Sequence, residues 1–417
     1  MHNKRASLLA GFILLLASFP LLADTIKLGF NYPQTGRYKD LGLQQRLAAF
    51  LAIEEINNGG GILGKKVELV IRDTAGSPEQ GAKNTEELIK KEKVHMLFGG
   101  ASSAVTIVSG KVARDLGRIY FGSTTSANAT TGSEGHDHMF REYPNAWMTA
   151  HTLGNYLSTT FGDSKYFYVT ADYTWGWSSE ASLRQFTDTT DDQAHPHALT
   201  PFPRALMSDF RAALTAAEES GADVLMLVLY GDDVVRALRV AYEMGLKDKM
   251  QIVLPNITVG IAHKVGATIL EGVISTTPWE WMIPYQLDFP RGQEFVETFT
   301  DKYQVRPTST AATVYSIVYQ YKDAVERAGT TNTRALIKAL EGHEFTLLKD
   351  RQQWRDFDHQ NLQTMYVVRA KPREEVVKAP LRSDFFEVIG SMKGHKSAQT
   401  LVQWQAERAA ADKPPHL

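Results

Sequence analysis

The sequence has no cysteine. That excludes disulfides, thiolate metal sites and thiol catalysis, and it leaves no thiol for a lipid anchor to be built on. Neither sign of charge is in excess: 45 Lys and Arg face 47 Asp and Glu, for a formal net charge of -2. A chain so balanced offers no basic field to nucleic acid and no acidic solubilising tail. Beyond residue 22, no apolar run without charges approaches the roughly 20 residues needed to cross a bilayer. The signatures Gly-x-Ser-x-Gly and His-Glu-x-x-His are missing, and Asp172 has no histidine partner identifiable from the sequence. No repeat is detectable by identity. Nothing here assembles a catalytic residue, a metal site or a cofactor site.

The N-terminus is rich in what a sorting signal needs. His2-Asn3-Lys4-Arg5 is basic, Leu8 to Leu22 is apolar, and Leu21-Leu22-Ala23 precedes the polar Asp24-Thr25. This pattern predicts a secretory signal over residues 1–23, cut after Ala23, with an apolar core too short for a membrane span. The mature protein is expected to be soluble outside the cytoplasmic membrane, and periplasmic in a Gram-negative cell.

At 417 residues, 43% of them hydrophobic, the chain can bury more than one core, and two domains are expected. Thr25 to Phe30 alternates as a strand, Leu41 to Asn57 carries helical periodicity and stops at Asn58-Gly59-Gly60-Gly61, and Val67 to Asp73 is the next strand. Ser77-Pro78-Glu79 then opens a helix, with serine as cap and proline at its first position. The most informative stretch is Met96 to Asn128. Here a short apolar run ends in Gly99-Gly100-Ala101-Ser102-Ser103, a helix follows, and Ile119-Tyr120-Phe121 leads into Gly122-Ser123-Thr124-Thr125-Ser126. Two strands that each end in small hydroxyl residues place those hydroxyls at the same edge of a parallel sheet, where open α/β sheets bind ligands. After Phe140 to Pro144 the strand–helix alternation restarts, with strands expected at Lys165–Thr170, Asp223–Tyr230 and Gln251–Leu254. Connections too long for hairpins imply mainly parallel sheets covered on both faces.

Aromatic residues mark the same edge. Tyr38, Tyr173, Trp175 and Tyr230 each lie in or beside a loop that follows a predicted strand, where rings can enclose an organic ligand and phenols can meet its polar atoms. Trp279 and Trp281 form a further candidate cleft wall, or else cover a lobe. His136 and His138, and likewise His195 and His197, have alternate spacing but no third ligand, and are expected to be surface loop residues.

Together these motifs resemble the type I periplasmic solute-binding proteins of branched-chain amino acid ABC transporters, the leucine-binding-like family, over roughly residues 26–369. The marks are Thr35-Gly36 with Tyr38, then Ala52-Ile53-Glu54-Glu55-Ile56-Asn57 followed by Gly59-Gly60-Gly61-Ile62-Leu63-Gly64. Gly99 to Ser103 and Asp172-Tyr173-Thr174-Trp175-Gly176 complete the set. The resemblance implies two Rossmann-like lobes joined by three crossovers: residues 24–143 with 275–341 as the first, 144–274 with 342–393 as the second, and a flexible tail over 394–417. It also implies a monomer that closes on a small organic solute and delivers it to an ABC permease in the cytoplasmic membrane. By the same resemblance Ser102, Ser103, Ser123, Thr124, Ser126 and Ala127 receive a carboxylate, Ala127 through its backbone alone. Tyr173 or Trp175 supplies the aromatic contact of the second lobe, and Tyr230 a cleft tyrosine. Asn256 departs from the family pattern, because leucine-type binders place an acidic residue there to pair with the ligand's ammonium group. A neutral amide leaves a buried ammonium without a charge partner unless Asp172, Asp232 or Glu280 provides one. An organic or aromatic carboxylate is therefore expected as ligand, with an amino acid, amide or urea as the alternative. A periplasmic sensor subunit would show the same cleft.

Overall fold

The computed structural model describes residues 25–417, and the expected export signal lies outside the described residues. Three sheets organise the chain. The first contains β1 (Ile26–Tyr32), β2 (Val67–Asp73), β3 (Met96–Gly99), β4 (Tyr120–Gly122) and β5 (Met139–Arg141), in the order β2-β1-β3-β4-β5, all parallel. The second contains β6 (Tyr166–Ala171), β7 (His197–Thr200), β8 (Val224–Val228), β9 (Gln251–Val253) and β10 (Ile274–Thr277). The third, a small antiparallel sheet, is β11 (Glu344–Phe345), β12 (Gln352–Trp354) and β13 (Asn361–Leu362). The chain then returns to the second sheet with β14 (Met365–Ala370) and β15 (Phe386–Met392), giving the order β15-β14-β10-β9-β8-β6-β7.

Local sequence explains where the elements begin. Ser77 accepts the Gln80 N–H at 3.3 Å with Pro78 at the first helical position, and Asn145 accepts the Met148 N–H at 2.8 Å to start the helix Ala146–Phe161. Such caps satisfy backbone donors that a helix leaves free. The strands of the first sheet other than the edge strand β2 are buried under helices on both sides. Phe30, Phe98, Phe121 and Phe140 share a core with Phe295, Phe299, Tyr315 and Leu336, which come from helices after residue 290. The second lobe has its own core, in which Leu225, Leu227 and Leu229 meet Leu238, Ile261 and Phe386.

Several boundaries differ from those expected. β10 pairs with β9 and β14, so residues 275–277 belong to the second sheet rather than the first lobe. Residues 344–362 belong with the first lobe, because Trp354 is fully buried between Phe121 and Phe140, at ring distances of 5.7 and 5.6 Å. The second sheet is mixed, since β14 runs antiparallel to both of its neighbours. The tail, expected to be flexible, forms a helix over Leu401–Ala410 whose Trp404 is buried and donates to the Thr131 carbonyl at 2.8 Å. His136, expected at the surface, is buried without a hydrogen-bond partner, and burial pushes its imidazole down to about 3.

The chain passes between the lobes after β5, after β10 and after β13, and buried polar groups join all three passages. The Lys349 amine donates to the Pro278 and Thr364 carbonyls, each at 2.5 Å, and Gln363 Nε2 donates to the Glu142 carbonyl at 2.6 Å. The Glu142 carboxylate accepts from Asn361 Nδ2 at 2.7 Å.

Candidate ligand-binding site

The two hydroxyl loops depend on backbone conformations that few residues permit. Gly99 sits at φ +133°, and a Cβ there would lie 2.2 Å from the Asn31 carbonyl oxygen. Only glycine allows β3 to turn so tightly against β1 and release Ala101–Ser103 at the sheet edge. Ser102 then takes extended backbone as the residue before the helix Ser103–Asp115. On the facing lobe, Gly176 packs against the Ala171 carbonyl, which a Cβ would approach to 1.9 Å, so Tyr173 and Trp175 are presented at the end of β6.

These loops converge on a narrow cavity of about 30 Å³ lined by Ala101, Ser102, Ser103, Thr124, Ser126, Tyr143, Tyr173, Trp175, Tyr230 and Asn256. One end is made of first-lobe hydroxyls and the other of second-lobe aromatic rings. Trp175 lies 5.9 Å from Tyr173 and 6.0 Å from Tyr230, ring to ring, so the three form one continuous wall. No Lys or Arg lines the space, so an anion would be met by hydroxyls and backbone amides.

Other expected residues sit behind the wall. Ser123 is fully buried and donates to the Gly100 carbonyl at 2.9 Å, while Gln45 Nε2 donates to both Ser123 Oγ (3.1 Å) and Thr124 Oγ1 (2.9 Å). Ser123 therefore shapes the loop without facing the cavity. The Ala127 N–H, expected to be offered to a ligand, donates instead to Ser103 Oγ at 3.1 Å, and the Ala127 carbonyl is taken by Arg141. Tyr38 lies just outside, its phenol facing that of Tyr173, and burial raises both above the ordinary tyrosine value. Trp279 is in the first-lobe core, 5.8 Å from Phe295, and lines a separate cavity beside Lys349. Trp281 is covered by the Arg306 guanidinium at 4.4 Å and donates to the Ser383 carbonyl. Neither tryptophan reaches the ligand cavity.

Tyr143, Ala101 and Gln45 were not anticipated. Tyr143 follows β5 on the same sheet edge as the hydroxyl loops, but a strand of three residues carries too little periodicity to announce it. Of the three acids that might have replaced the missing charge at Asn256, Asp172 is exposed and accepts from Trp177 Nε1, and Asp232 pairs with Lys264 at 2.9 Å. Glu280 alone is fully buried, and it lies outside the residues that line the cavity. Its Oε1 accepts the Val259 N–H at 3.0 Å, and burial raises its carboxyl to about 8.

The lobes touch on both sides of the cavity. Arg37 of the first lobe pairs with Asp233 of the second at 3.2 Å and donates to the Pro203 carbonyl. Its guanidinium lies 4.5 Å above the Phe202 ring, which in turn stacks on Tyr173 at 3.8 Å. Lys264 joins Asp232 of its own lobe to Asp40 of the other. Across the cavity, the Asn128 N–H donates to Ser178 Oγ at 3.0 Å and Asn128 Nδ2 to Ser182 Oγ at 3.1 Å. These contacts tie the two lobes together around the cavity.

A profile described as "Periplasmic binding protein" matches residues 25–375. The chain belongs to the periplasmic binding protein family. Among its relatives is the Leu-, Ile-, Val-, Thr- and Ala-binding protein of Pseudomonas aeruginosa, 24% identical over 340 residues, which cover 82% of this chain and 87% of the relative. A periplasmic binding protein from Burkholderia mallei superposes with a TM-score of 0.81 at 23% identity, over 91% of this chain and 98% of that one. A solute-binding protein of an ABC transporter from Rhodopseudomonas palustris, solved with 3,4-dihydroxybenzoic acid, superposes with a TM-score of 0.77 at 17% identity, over 89% and 98%. Such identities show the type I fold of this periplasmic binding protein and leave its ligand to the cavity's own chemistry. Family members are the substrate-binding components of ABC transporters and are exported to the periplasm. Among the described residues no helix is long and apolar enough to cross a membrane, and no group of three or more His, Cys, Asp or Glu is placed to hold a metal.

Proposed function

We propose that this chain captures a small organic carboxylate between its lobes and delivers it to an ABC permease. The observation that carries the reading is the meeting of first-lobe hydroxyls (Ser102, Ser103, Thr124 and Ser126) with a second-lobe aromatic wall (Tyr173, Trp175 and Tyr230) on one cavity. Hydroxyl donors match carboxylate oxygens, and aromatic faces match a flat or branched organic body. Neutral Asn256 favours an acid without an ammonium group. Relatives and structural neighbours named as solute-binding proteins support a binding role.

An amino acid is the second reading, and Glu280 favours it, since a buried carboxylate could replace the charge that Asn256 lacks. Mass spectrometry of solute released from gently purified protein gives the first test. A thermal-shift series of aliphatic amino acids, short amides, urea and benzoate-like acids, with calorimetry on the hits, gives the second. Carboxylates without an ammonium group are expected to shift the protein most. Tight binding of leucine, with benzoate-like acids inert, would establish the amino-acid reading instead.

A further inference from the structure

The loop that carries the second set of hydroxyls has three faces with three different partners. Ser126 lines the cavity, and two residues on, Asn128 reaches Ser178 and Ser182 of the second lobe. The third face consists of backbone carbonyls met by side chains from elsewhere in the chain, since the only regular structure here is the single 3-10 turn Asn128–Thr130 and buried carbonyls need partners. The fully buried Arg141 donates to the Ala127 carbonyl and to Thr131 Oγ1, each at 2.5 Å. Trp404 Nε1 donates to the Thr131 carbonyl at 2.8 Å, and Arg408 Nη1 to those of Gly132 (2.7 Å) and Gly135 (3.2 Å).

Two of these three side chains come from the tail, beyond residue 375 where the family profile ends. The helix Leu401–Ala410 buries only Trp404 and Arg408, so the side chains it buries are the ones directed at this loop. They also hold each other: the Arg408 guanidinium lies 4.9 Å from the Trp404 ring, and its Nε and Nη2 donate to the Pro414 and His416 carbonyls, folding the chain end back on the same group. The approach is close, for a Cβ at Gly132 would lie 2.4 Å from Glu407 Oε1. A guanidinium that fixes four carbonyls at once sets geometry as well as adding hydrogen bonds.

We infer that the tail helix is a brace for this loop, and that Trp404 and Arg408 are positioning residues for Ser126 at the cavity and for Asn128 between the lobes. For the role of Ser126 this rests on the binding reading above; the brace itself needs no ligand. The Ala127 N–H donates to Ser103 Oγ, so a shift of the loop is felt at both sets of hydroxyls. Asn128 Oδ1 accepts the Trp147 N–H at 2.9 Å, which carries the same shift to the helix that follows the first crossover. Such coupling is reciprocal: whatever orders Ser126 or Asn128 also tightens the tail.

Hydrogen-exchange mass spectrometry on the mature, ligand-free chain tests the brace. In Arg408→Met and Trp404→Phe, exchange over residues 126–135 should quicken about tenfold while β1 stays within about twofold of wild type. Trp404→Phe keeps the ring and removes only the N–H, so it remains informative if Arg408→Met fails to fold. Arg408→Lys keeps a donor and should return the loop to within about threefold of wild type. Leu214→Ala, in the second-lobe core, lowers overall stability and should not single out the loop. Calorimetry with 3,4-dihydroxybenzoate and leucine reads the consequence: whichever binds wild type should bind Arg408→Met about fivefold more weakly and Arg408→Lys within about twofold. Wild-type exchange in every folded tail variant, or a rise shared equally by β1, overturns the inference, and a loosened loop with unchanged affinity ends the positioning role. If neither solute binds wild type, the carboxylate and amino-acid readings fail, while the contrast between loop and β1 still decides the brace.

Discussion

Glu142 and Glu280 are both buried carboxyls, both raised by burial to about 8, yet they sit in opposite surroundings. Glu142, at the lobe crossovers, has Asn361 as a hydrogen-bond donor at 2.7 Å, the Gln352 and Ser316 side chains beside it, and the Lys349 charge nearby. Glu280, outside the cavity lining, is met only by the backbone N–H groups of Val259 and Trp281 and has no cation to offset it. The protein completes the first site by itself and leaves the second incomplete. Two carboxyls raised alike by burial therefore differ in how far side chains of the protein pair them.

The contrast breaks most visibly at Lys349. Replacing it by Met strands the Pro278 and Thr364 carbonyls and removes the cation beside Glu142, and should lower unfolding free energy by about 3 kcal/mol in urea titrations. A variant within the error of wild type would show that the crossovers do not depend on this amine. Next in size, Ser102→Ala should weaken ligand binding by about 1 to 3 kcal/mol with little change in stability, since its hydroxyl faces the cavity. Ser103→Ala should weaken both, because it also removes the acceptor of the Ala127 N–H. Calorimetry beside thermal melts separates the two, and affinities unchanged from wild type in both folded variants would reject side-chain anchoring.

A pH titration of the ligand-free protein sharpens the comparison further. Glu280 is raised above the ordinary glutamate value, so between about 4.5 and about 8 the folded state holds more protons than the unfolded one. Its contribution is complete at the acid end of that window and is lost as pH rises through it. Glu280→Gln should therefore gain on wild type as pH rises, by on the order of 1 kcal/mol in chemical denaturation. A stability difference that stays flat across the window would place Glu280 in a wetter or better-paired environment. The smallest effect is expected at Arg37, whose pair with Asp233 is one-quarter exposed on the arginine side. Arg37→Gln should weaken binding by about 1 kcal/mol at low salt and by less as salt screens the pair, measurable as a flattened salt dependence of Kd.

How much of this could be read from the chain follows the length of each element. β1, β2 and the long helices carry enough residues for periodicity to show, and the glycine-hydroxyl loops mark a sheet edge by composition alone. Strands of two or three residues do not, which is why β11–β13 were placed on the wrong lobe and Tyr143 was missed at the end of β5. Trp279 and Trp281 beside prolines read equally well as a cleft wall and as packing; only the third dimension shows Phe295 behind one and Arg306 over the other. The tail failed for a related reason. Leu401–Ala410 buries little beyond Trp404 and Arg408, and a helix held by two side chains has no apolar stripe to read.

That tail leaves the second sheet at β15 and docks on the first lobe, where Arg408 donates to the Gly132 carbonyl at 2.7 Å. The link between them is pinned at both ends: His151 of the second lobe meets the Ser397 carbonyl at 3.2 Å, and Arg355 of the first donates to the Gln399 carbonyl at 2.6 Å. Two anchors so close together leave almost no slack. Mechanically this edge is a door's hinge pin, able to rotate but not to separate. A reporter fused after Leu417 would travel with the first lobe although the chain reaches it from the second.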